Sequence, residues 1–467
     1  MPMTEPRLAR PSDLPPAGGS VFFLGLAGAG MRALVPALMA RGCTVAGSDR
    51  EIAAAADLEA LGVDVHRETE LEPVRAADLV IYSSALPEDH PALAAARAAG
   101  VPTLKRARAL GALVNDRRLA AVAGTHGKTT VTTMLAVAVE RAGLDPLAFV
   151  GGRVGSWGGN SRIGAGNLAV VEADEYDRSF LELDPDLAIV TSVEPEHLDT
   201  YGDAASLEAA FVEFVSRAAR VLLCADDEGA LRLAPSVRSP AEVRTYGFAA
   251  ESTWRLEVLD AGRAGQSCRL HGPDEAVPFR VGAPGAHNAQ NAAAALAAAI
   301  WLGADRAALA TALEDFRGAD RRLQVLHEDA DLVVVDDYAH HPTEVRAGME
   351  ALRSAWPGRR LIVVFQPHLY TRTRDQAAGF ADALARADRA LVLPIYPARE
   401  APIAGVTREL ILGARRGLEP LEPDQVDGLV RVDRPSVLAF MGAGDVTRLA
   451  HDAARAAHAG HPDALGG

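Results

Sequence analysis

Cysteine is scarce and scattered in this chain: the three, Cys43, Cys224 and Cys268, have no paired spacing. That argues against a disulfide framework or a thiolate cluster and suits a reducing compartment. Excess positive charge is missing as well. A formal charge of −15 leaves no general basic surface, so nucleic acid is not an expected partner, although a local basic pocket for an anionic small molecule stays open. Long apolar runs are also absent. The most apolar stretch, Ala292 to Trp301, is too short to span a bilayer and reads as a buried helix. Met1 to Gly19 is polar and proline-rich, which predicts a loose tail rather than a signal peptide. Together these absences predict a cytoplasmic protein without membrane insertion. What is present is ordinary for a soluble globular protein: 49% hydrophobic and 23% charged residues in a chain of 467. That length suggests roughly two to four domains.

The most informative stretch is Gly124-Thr125-His126-Gly127-Lys128-Thr129-Thr130. It follows the apolar run Leu119–Ala123 and precedes a helical pattern from Val131 to Glu140. A strand, a glycine turn and a helix start ending in Gly-Lys-Thr is how a backbone cradles a nucleotide triphosphate. Amides at the helix N-terminus face the phosphates, the lysine offsets their charge, and the next hydroxyl reaches a magnesium ion. The standard spacing lacks its first glycine, since Val122 stands there. A glycine turn with a surface lysine is the bland alternative.

Alternation of apolar runs and helical patterns predicts an α/β protein of three domains: an N-terminal Rossmann-like domain, a central P-loop ATPase with a small antiparallel subsheet, and a C-terminal Rossmann-like domain. The expected limits are a flexible tail over 1–19, then 20–115, 116–318 and 319–467. In the first domain, strands are expected at Ser20–Leu24, Cys43–Gly47, Leu79–Tyr82 and Val101–Leu104, with a helix over Arg32–Arg41. The basic stretch Lys105–Arg118 reads as the first boundary and Phe316–Asp320 as the second. Central strands are expected at Leu119–Ala123, Leu168–Val171, Leu187–Val193 and Val221–Ala225. The turn-rich stretch Val243–Val281 reads as the antiparallel subsheet. C-terminal strands fall at Leu332–Val335, Leu361–Phe365, Ala390–Leu393 and Val437–Met441.

Polar residues recur at the carboxyl ends of these strands, where open parallel sheets place ligands. Glu172-Ala173-Asp174-Glu175 can hold Mg2+ beside the phosphate loop, or be solvated loop charges. His197 follows the next strand; alone it would read as structural, but its unit also carries the phosphate loop. Asn288 and Asn291 share a helix face and can bond an adenine edge, or simply cap the helix. His340 and His341 are consecutive, so they cannot both face one metal from a regular element. Arg372 and Arg374 can clamp a carboxylate or phosphate. Gly25, Gly28 and Gly30 permit close approach to a diphosphate, and Asp49 stands where a ribose hydroxyl would bind; alone, that pattern also suits a nicotinamide-dependent dehydrogenase.

Taken in order, the runs Gly124–Thr130, Glu172–Asp177, Glu196–Tyr201, His287–Asn291, Asp336–Val345 and Phe365–Arg374 resemble the Mur ligase family, from about Ser20 to about Asp445. Within it they look most like the branch that adds L-alanine. The resemblance implies amide formation between UDP-N-acetylmuramate and L-alanine at the expense of ATP, with ATP and Mg2+ required, by a monomer or weak homodimer. It implies that Gly124, Thr125, His126, Gly127, Lys128, Thr129, Thr130, Asn288, Asn291, Arg322 and Asp337 bind ATP. Thr129, Glu172 and His197 serve the metal. Gly25, Ala27, Gly28, Gly30, Met31, Asp49 and Ser84 bind the UDP-sugar, and His340, His368 and Arg372 the amino acid. Lys128, Glu172, His197, Arg322 and His340 are the expected catalytic residues. Two departures stand out. Leu207–Phe211 lacks the lysine that several later-acting relatives modify, as in the alanine-adding branch, and Leu369 stands where family members often have arginine. Competing readings are a ligase attaching a recycled peptide to the same sugar nucleotide, a nucleotide-switched regulator, and a dehydrogenase built on Gly25–Gly30.

Overall fold

The structure, a computed structural model, describes residues 8–460 apart from 238, 239, 319 and 399. β1 (Ser20–Leu24), β2 (Thr44–Asp49), β3 (Asp64–Arg67), β4 (Leu79–Tyr82) and β5 (Thr103–Lys105) form a wholly parallel sheet in the order β3-β2-β1-β4-β5. In β1, Val21, Phe22, Phe23 and Leu24 are all buried, as expected of a strand covered on both faces.

The helix expected over Arg32–Arg41 is instead two short helices, Ala29–Arg32 and Val35–Ala40. Pro36 explains the break: it has no N–H to offer the Arg32 carbonyl, and its ring crowds that turn. The expected loose tail also needs correcting over 8–19. Ala9 and Leu14 are buried, Arg10 donates to the Asn115 carbonyl and to Asp184, and Asn115 Nδ2 donates to the Ala9 carbonyl. Met1 to Arg7 lie outside the described residues. The basic stretch after Lys105, read as the first boundary, begins with regular structure. This is the helix Arg106–Val114, whose face Ala109, Leu110, Ala112, Leu113 and Val114 is buried.

The central sheet has ten strands: β6 (Arg118–Ala123), β7 (Leu147–Val154), β8 (Gly159–Arg162), β9 (Leu168–Glu172), β10 (Leu187–Val190), β11 (Arg220–Cys224), β12 (Glu242–Gly247), β13 (Trp254–Gly262), β14 (Gly265–His271) and β15 (Ala276–Val281). Their order is β15-β14-β13-β12-β11-β10-β6-β9-β7-β8. β6 lies between β9 and β10, parallel to both, so the chain leaves it in two directions and a crevice opens at its carboxyl end. The subsheet starts later than expected, because β12 runs parallel to β11. β13 and β14 are joined only by Arg263 and Ala264, a connection that antiparallel strands alone can use.

The third sheet contains β16 (Gln324–Glu328), β17 (Leu332–Asp337), β18 (Arg360–Phe365), β19 (Arg389–Val392), β20 (Leu418–Pro420) and β21 (Ser436–Met441), in the order β16-β17-β21-β18-β19-β20. Only β16 pairs antiparallel. Alternation along the strands sends Val333, Val335, Val363 and Phe365 into one core with Val345, Met349 and Phe380. Val334, Ile362, Val364 and Phe440 enter the other with Val446, Leu449 and Ala453. Burying each such side chain is worth about 1.5–3 kcal/mol, so the two layers fix where the strand ends lie.

The chain divides into two compact units. One comprises Met1–Leu256, Leu270–Val277 and Asn291–Ala312, the other Glu257–Arg269, Pro278–Gln290 and Leu313–Gly467. Among the described residues, no helix is long and apolar enough to cross a membrane.

Candidate active site

In the first unit, β6 ends at Ala123 and the chain turns through Gly124 into the helix Lys128–Arg141. Gly124 has φ +136°, and a Cβ there would stand 2.1 Å from Thr191 Oγ1. Gly127 has φ +80°, and its Cβ would lie 2.8 Å from Asn291 Oδ1. Gly124 also meets the Ser192 backbone, so only glycine fits there, and the left-handed φ favours glycine at 127; the close approach that suits phosphates is built into the backbone.

The segment after β10 holds this loop. Ser192 accepts from Thr125 N through its carbonyl and from His126 N through its hydroxyl, each at 2.9 Å. Thr191 Oγ1 donates to the His126 carbonyl, and Glu194 N donates to Thr125 Oγ1 at 2.8 Å. The strand expected to reach Val193 stops at Val190: Thr191 N still donates to the Ala123 carbonyl at 3.0 Å, but its hydroxyl and Ser192 turn to hold the loop.

Lys128 is not a surface lysine. Its side chain is 13% exposed, and Nζ donates to the Gly124 and Thr125 carbonyls and sits 2.8 and 3.0 Å from the two oxygens of buried Glu175. Burial opposes its charge, but the Glu175 and Asp174 carboxylates outweigh it and hold the ammonium well above the ordinary lysine range. Burial pushes the Glu175 carboxyl up to about 7 despite the pull of Lys128. Thr129 Oγ1 donates to Glu172 Oε1 at 3.0 Å, and Gly151 N donates to Glu172 Oε2 at 2.6 Å. Burial raises Glu172 too, opposed by Lys128. Thr130 is buried.

His197 takes φ +54° and places Nε2 3.6 Å from Glu175 Oε1. Glu175, Glu196 and His197 bring ligand atoms within 4.8 Å of one another. Thr129 and Glu172 therefore meet directly, while His197 is drawn to Glu175, the last residue of the acidic run Glu172–Glu175 after β9.

In the first domain Gly25 has φ +83°, and its N–H donates to the Ser48 carbonyl. Asp49 accepts from the Ala27 amide at 2.8 Å and from Glu51 N at 3.1 Å, so its carboxylate ties the glycine turn to β2. Gly28 begins the helix Ala29–Arg32, in which Met31 is buried. A Cβ on Gly30 would lie 3.0–3.3 Å from the Arg106 side chain, so Gly30 admits a guanidinium that the sequence reading passed over. The signal was there: Arg106 opens the stretch read as a basic boundary. Ser84 is exposed in a turn, while Ser83 lies against Gly25.

In the second unit, Asn288 Nδ2 donates to the Pro284 carbonyl at 2.8 Å, the local account weighed for it. In the first, Asn291 faces the phosphate loop, as its approach to Gly127 shows. Asp337, at the end of β17, turns inward and is 5% exposed; a Cβ on Gly348 would stand 2.7 Å from its Oδ2. Burial pushes its carboxyl up to about 7, opposed by Arg322 and reinforced by Glu344.

Arg322 stacks over Tyr338 at 5.3 Å and stands 3.8 Å from Glu344 Oε1. His340 Nδ1 lies 2.9 Å from the Tyr338 carbonyl. Its ring is 6.2 Å from that of His368, which stacks on Tyr396 and lies 3.2 Å from Arg372. His341 instead accepts from Thr343 N and caps the helix Pro342–Ala355. Arg374 pairs with its neighbour Asp375. The fold thus sets His340 and Arg322 against Tyr338, with His368 and Arg372 following beyond His340, and leaves Arg374 outside. Leu369, between His368 and Arg372, has φ +71° and ψ +139°, a conformation costly for any side chain.

A brace of backbone and carboxylate around a Gly-Lys-Thr turn, at the crevice of a parallel sheet, defines a nucleoside-triphosphate-binding α/β protein of three sheets. The chain belongs to the Mur ligase family. Its residues 20–118 match "Mur ligase family, catalytic domain", 122–299 "Mur ligase middle domain", and 321–432 "Mur ligase, glutamate ligase domain". The UDP-N-acetylmuramate–L-alanine ligase of Renibacterium salmoninarum is 43% identical over 438 residues, 92% of this chain and 94% of that one. Its counterpart in an Arthrobacter species is 45% identical over 399 residues, 84% of this chain and 85% of that one. The solved UDP-N-acetylmuramate–alanine ligase of Thermotoga maritima superposes with a TM-score of 0.79 at 28% identity, over 95% of this chain and 100% of that one. A murein peptide ligase from Psychrobacter arcticus shares the fold with a TM-score of 0.67 at 22% identity, over 94% and 99%.

Proposed function

We propose that this protein joins L-alanine to the carboxylate of UDP-N-acetylmuramate with hydrolysis of ATP to ADP and phosphate, in peptidoglycan precursor synthesis. The observation that carries this reading is the 43% identity, across 92% of the chain, to a ligase of that name. The proposed domains are 20–115 for the UDP-sugar, 116–318 for ATP and 319–467 for the amino acid.

A carboxylate is a poor acyl donor because oxide would have to leave. Transfer of the γ-phosphoryl group gives an acyl phosphate, from which phosphate leaves readily. The attacking carboxylate and the triphosphate repel each other, and Lys128 and Arg322 offset that repulsion while stabilising the charge that develops. Glu172 and Thr129 offer hard oxygen donors 3.0 Å apart beside the phosphate turn, a set that suits magnesium, with His197 as the proposed third contact. When bound, Mg2+ supplies further charge neutralisation at the phosphates. Lys128 has to exchange Glu175 for phosphate oxygens, so Glu175 keeps the ammonium in place until nucleotide arrives. Asn291 lines the glycine turn, and Arg372 with His368 is suited to the amino-acid carboxylate.

The test is ADP release by purified protein with UDP-N-acetylmuramate, scored across L-alanine, glycine, L-serine and the recycled tripeptide. The reading expects L-alanine to support the fastest turnover. Preference for the tripeptide would shift the assignment to the recycling ligases, and ADP release independent of the sugar would remove it.

A further inference from the structure

The amine of the incoming amino acid arrives as an ammonium ion and cannot attack until it loses a proton. Two histidines could take it, and the structure treats them differently. His197 places Nε2 against Glu175 at 3.6 Å, within the cluster that holds Lys128. His340 instead turns Nδ1 toward two acceptors, the Tyr338 carbonyl at 2.9 Å and Glu344 Oε2 at 3.3 Å. A carbonyl and a carboxylate only accept, so the proton of the neutral ring sits on Nδ1 and the basic lone pair on Nε2.

Glu344 does more than face the ring. The same Oε2 accepts from the His340 backbone N–H at 3.0 Å, while Oε1 stands 3.8 Å from Arg322. Its side chain is only 12% exposed and is carried on the first turn of the helix Pro342–Ala355, so the carboxylate is held rather than free to swing. One group thus fixes the tautomer of His340, the backbone that carries it, and the approach of Arg322. That is the arrangement of base and orienting carboxylate familiar from acyl-transfer enzymes.

We propose that His340 Nε2 is the base that deprotonates the amino-acid ammonium, and that Glu344 is the positioning residue that holds His340 in the competent tautomer and keeps Arg322 beside it. This rests on the acyl-phosphate reading above. Nε2 takes one proton from the ammonium. The neutral amine then forms the C–N bond as the carbonyl pair moves onto oxygen. Collapse breaks the C–O bond to the phosphate, which leaves with the bonding pair and the amine's second proton. The imidazolium returns its proton to solvent.

Hydroxylamine separates the steps, because it is already neutral near neutral pH and captures an acyl phosphate as a hydroxamate without a base. The full-length enzyme, with ATP and UDP-N-acetylmuramate, is assayed with L-alanine and with hydroxylamine as alternative nucleophiles. His340→Gln is expected to slow amide formation on the order of a hundredfold or more. Glu344→Gln is expected to slow it about tenfold, since an amide N–H₂ facing Nδ1 favours the wrong tautomer. In His340→Gln hydroxamate formation should stay within about twofold of wild type, which also shows that the variant is folded and phosphorylates the sugar carboxylate; Glu344→Gln also loosens Arg322, so its amide formation should fall by a larger factor than its hydroxamate formation. Equal slowing with both nucleophiles, or unchanged amide formation, would overturn the inference alone. Failure of the wild-type enzyme to make hydroxamate would overturn the acyl-phosphate reading and the inference together.

Discussion

The phosphate loop and the Tyr338 cluster are both groups of charged residues at the carboxyl ends of parallel strands, yet they are held in opposite ways. Around Lys128 the backbone holds the site. Gly124 occupies a conformation and space that only glycine fits, Gly127 takes a left-handed φ, and the Thr191 and Ser192 hydroxyls bond the turn. Around Tyr338 side chains hold it: Glu344 faces His340 and Arg322, and two arginines stack on one ring. Three neighbouring residues there, Arg321, Leu323 and Leu369, carry positive φ without being glycine. The central site has such residues as well, Asp177, Arg178 and His197. The first arrangement depends on a glycine turn braced by the segment after β10 and the second on a single carboxylate, so substitutions should break the two sites differently.

The largest effect is expected from Lys128→Ala, which removes the ammonium that meets the phosphates. Turnover should fall on the order of a hundredfold or more, corresponding to about 3 kcal/mol of lost transition-state stabilisation. Calorimetric binding of UDP-N-acetylmuramate should be retained; its loss would misassign the first domain. Next comes Gly124→Ala, where a methyl would meet Thr191 Oγ1 at 2.1 Å in a backbone with φ +136°. Strain of this kind costs about 1–3 kcal/mol, so denaturant unfolding should show a clear loss of stability alongside lost ATP turnover. An unchanged unfolding midpoint would mean the loop is less constrained than its geometry implies.

Asp337 gives a smaller, pH-dependent effect. Its carboxyl is raised from 3.8 to about 7, chiefly by burial, so the folded protein binds that proton more tightly than the unfolded chain. Its contribution to stability is therefore complete below about pH 4 and is lost as pH rises toward 7. Asp337→Asn should flatten that part of the stability–pH curve, measured by urea unfolding at stepped pH. The smallest effect is expected from Leu369→Gly. Relief of φ +71° should raise stability by about 1 kcal/mol or less, offset in part by the added freedom of glycine when unfolded. A destabilised variant would show that the Leu369 side chain contributes more packing than its conformation costs.

The same contrast explains what the sequence disclosed. The central site was legible because backbone demands leave residue signatures: glycines where Cβ cannot fit, and Lys-Thr where amides end a turn. Buried runs such as Leu79–Tyr82 and Leu361–Phe365 were found nearly to the residue, since strands covered on both faces are continuously apolar. Short edge strands such as β3, β8 and β20 carry no such run and were missed. The pairings of Glu175 with Lys128, Arg106 with Gly30 and Glu344 with Arg322 were illegible for another reason: the partners stand 47, 76 and 22 residues apart in sequence, and no local pattern records such a meeting. Pro36, by contrast, announced a break in its helix that periodicity alone overrode.

The claim at the centre is that the sugar's own carboxylate attacks ATP. UDP-N-acetylmuramate labelled with ¹⁸O in that carboxylate, turned over with L-alanine and ATP, tests it directly by mass spectrometry of the released phosphate. The account predicts that one labelled oxygen passes into inorganic phosphate for each amide formed. Phosphate free of label, with amide formed at the normal rate, would contradict it.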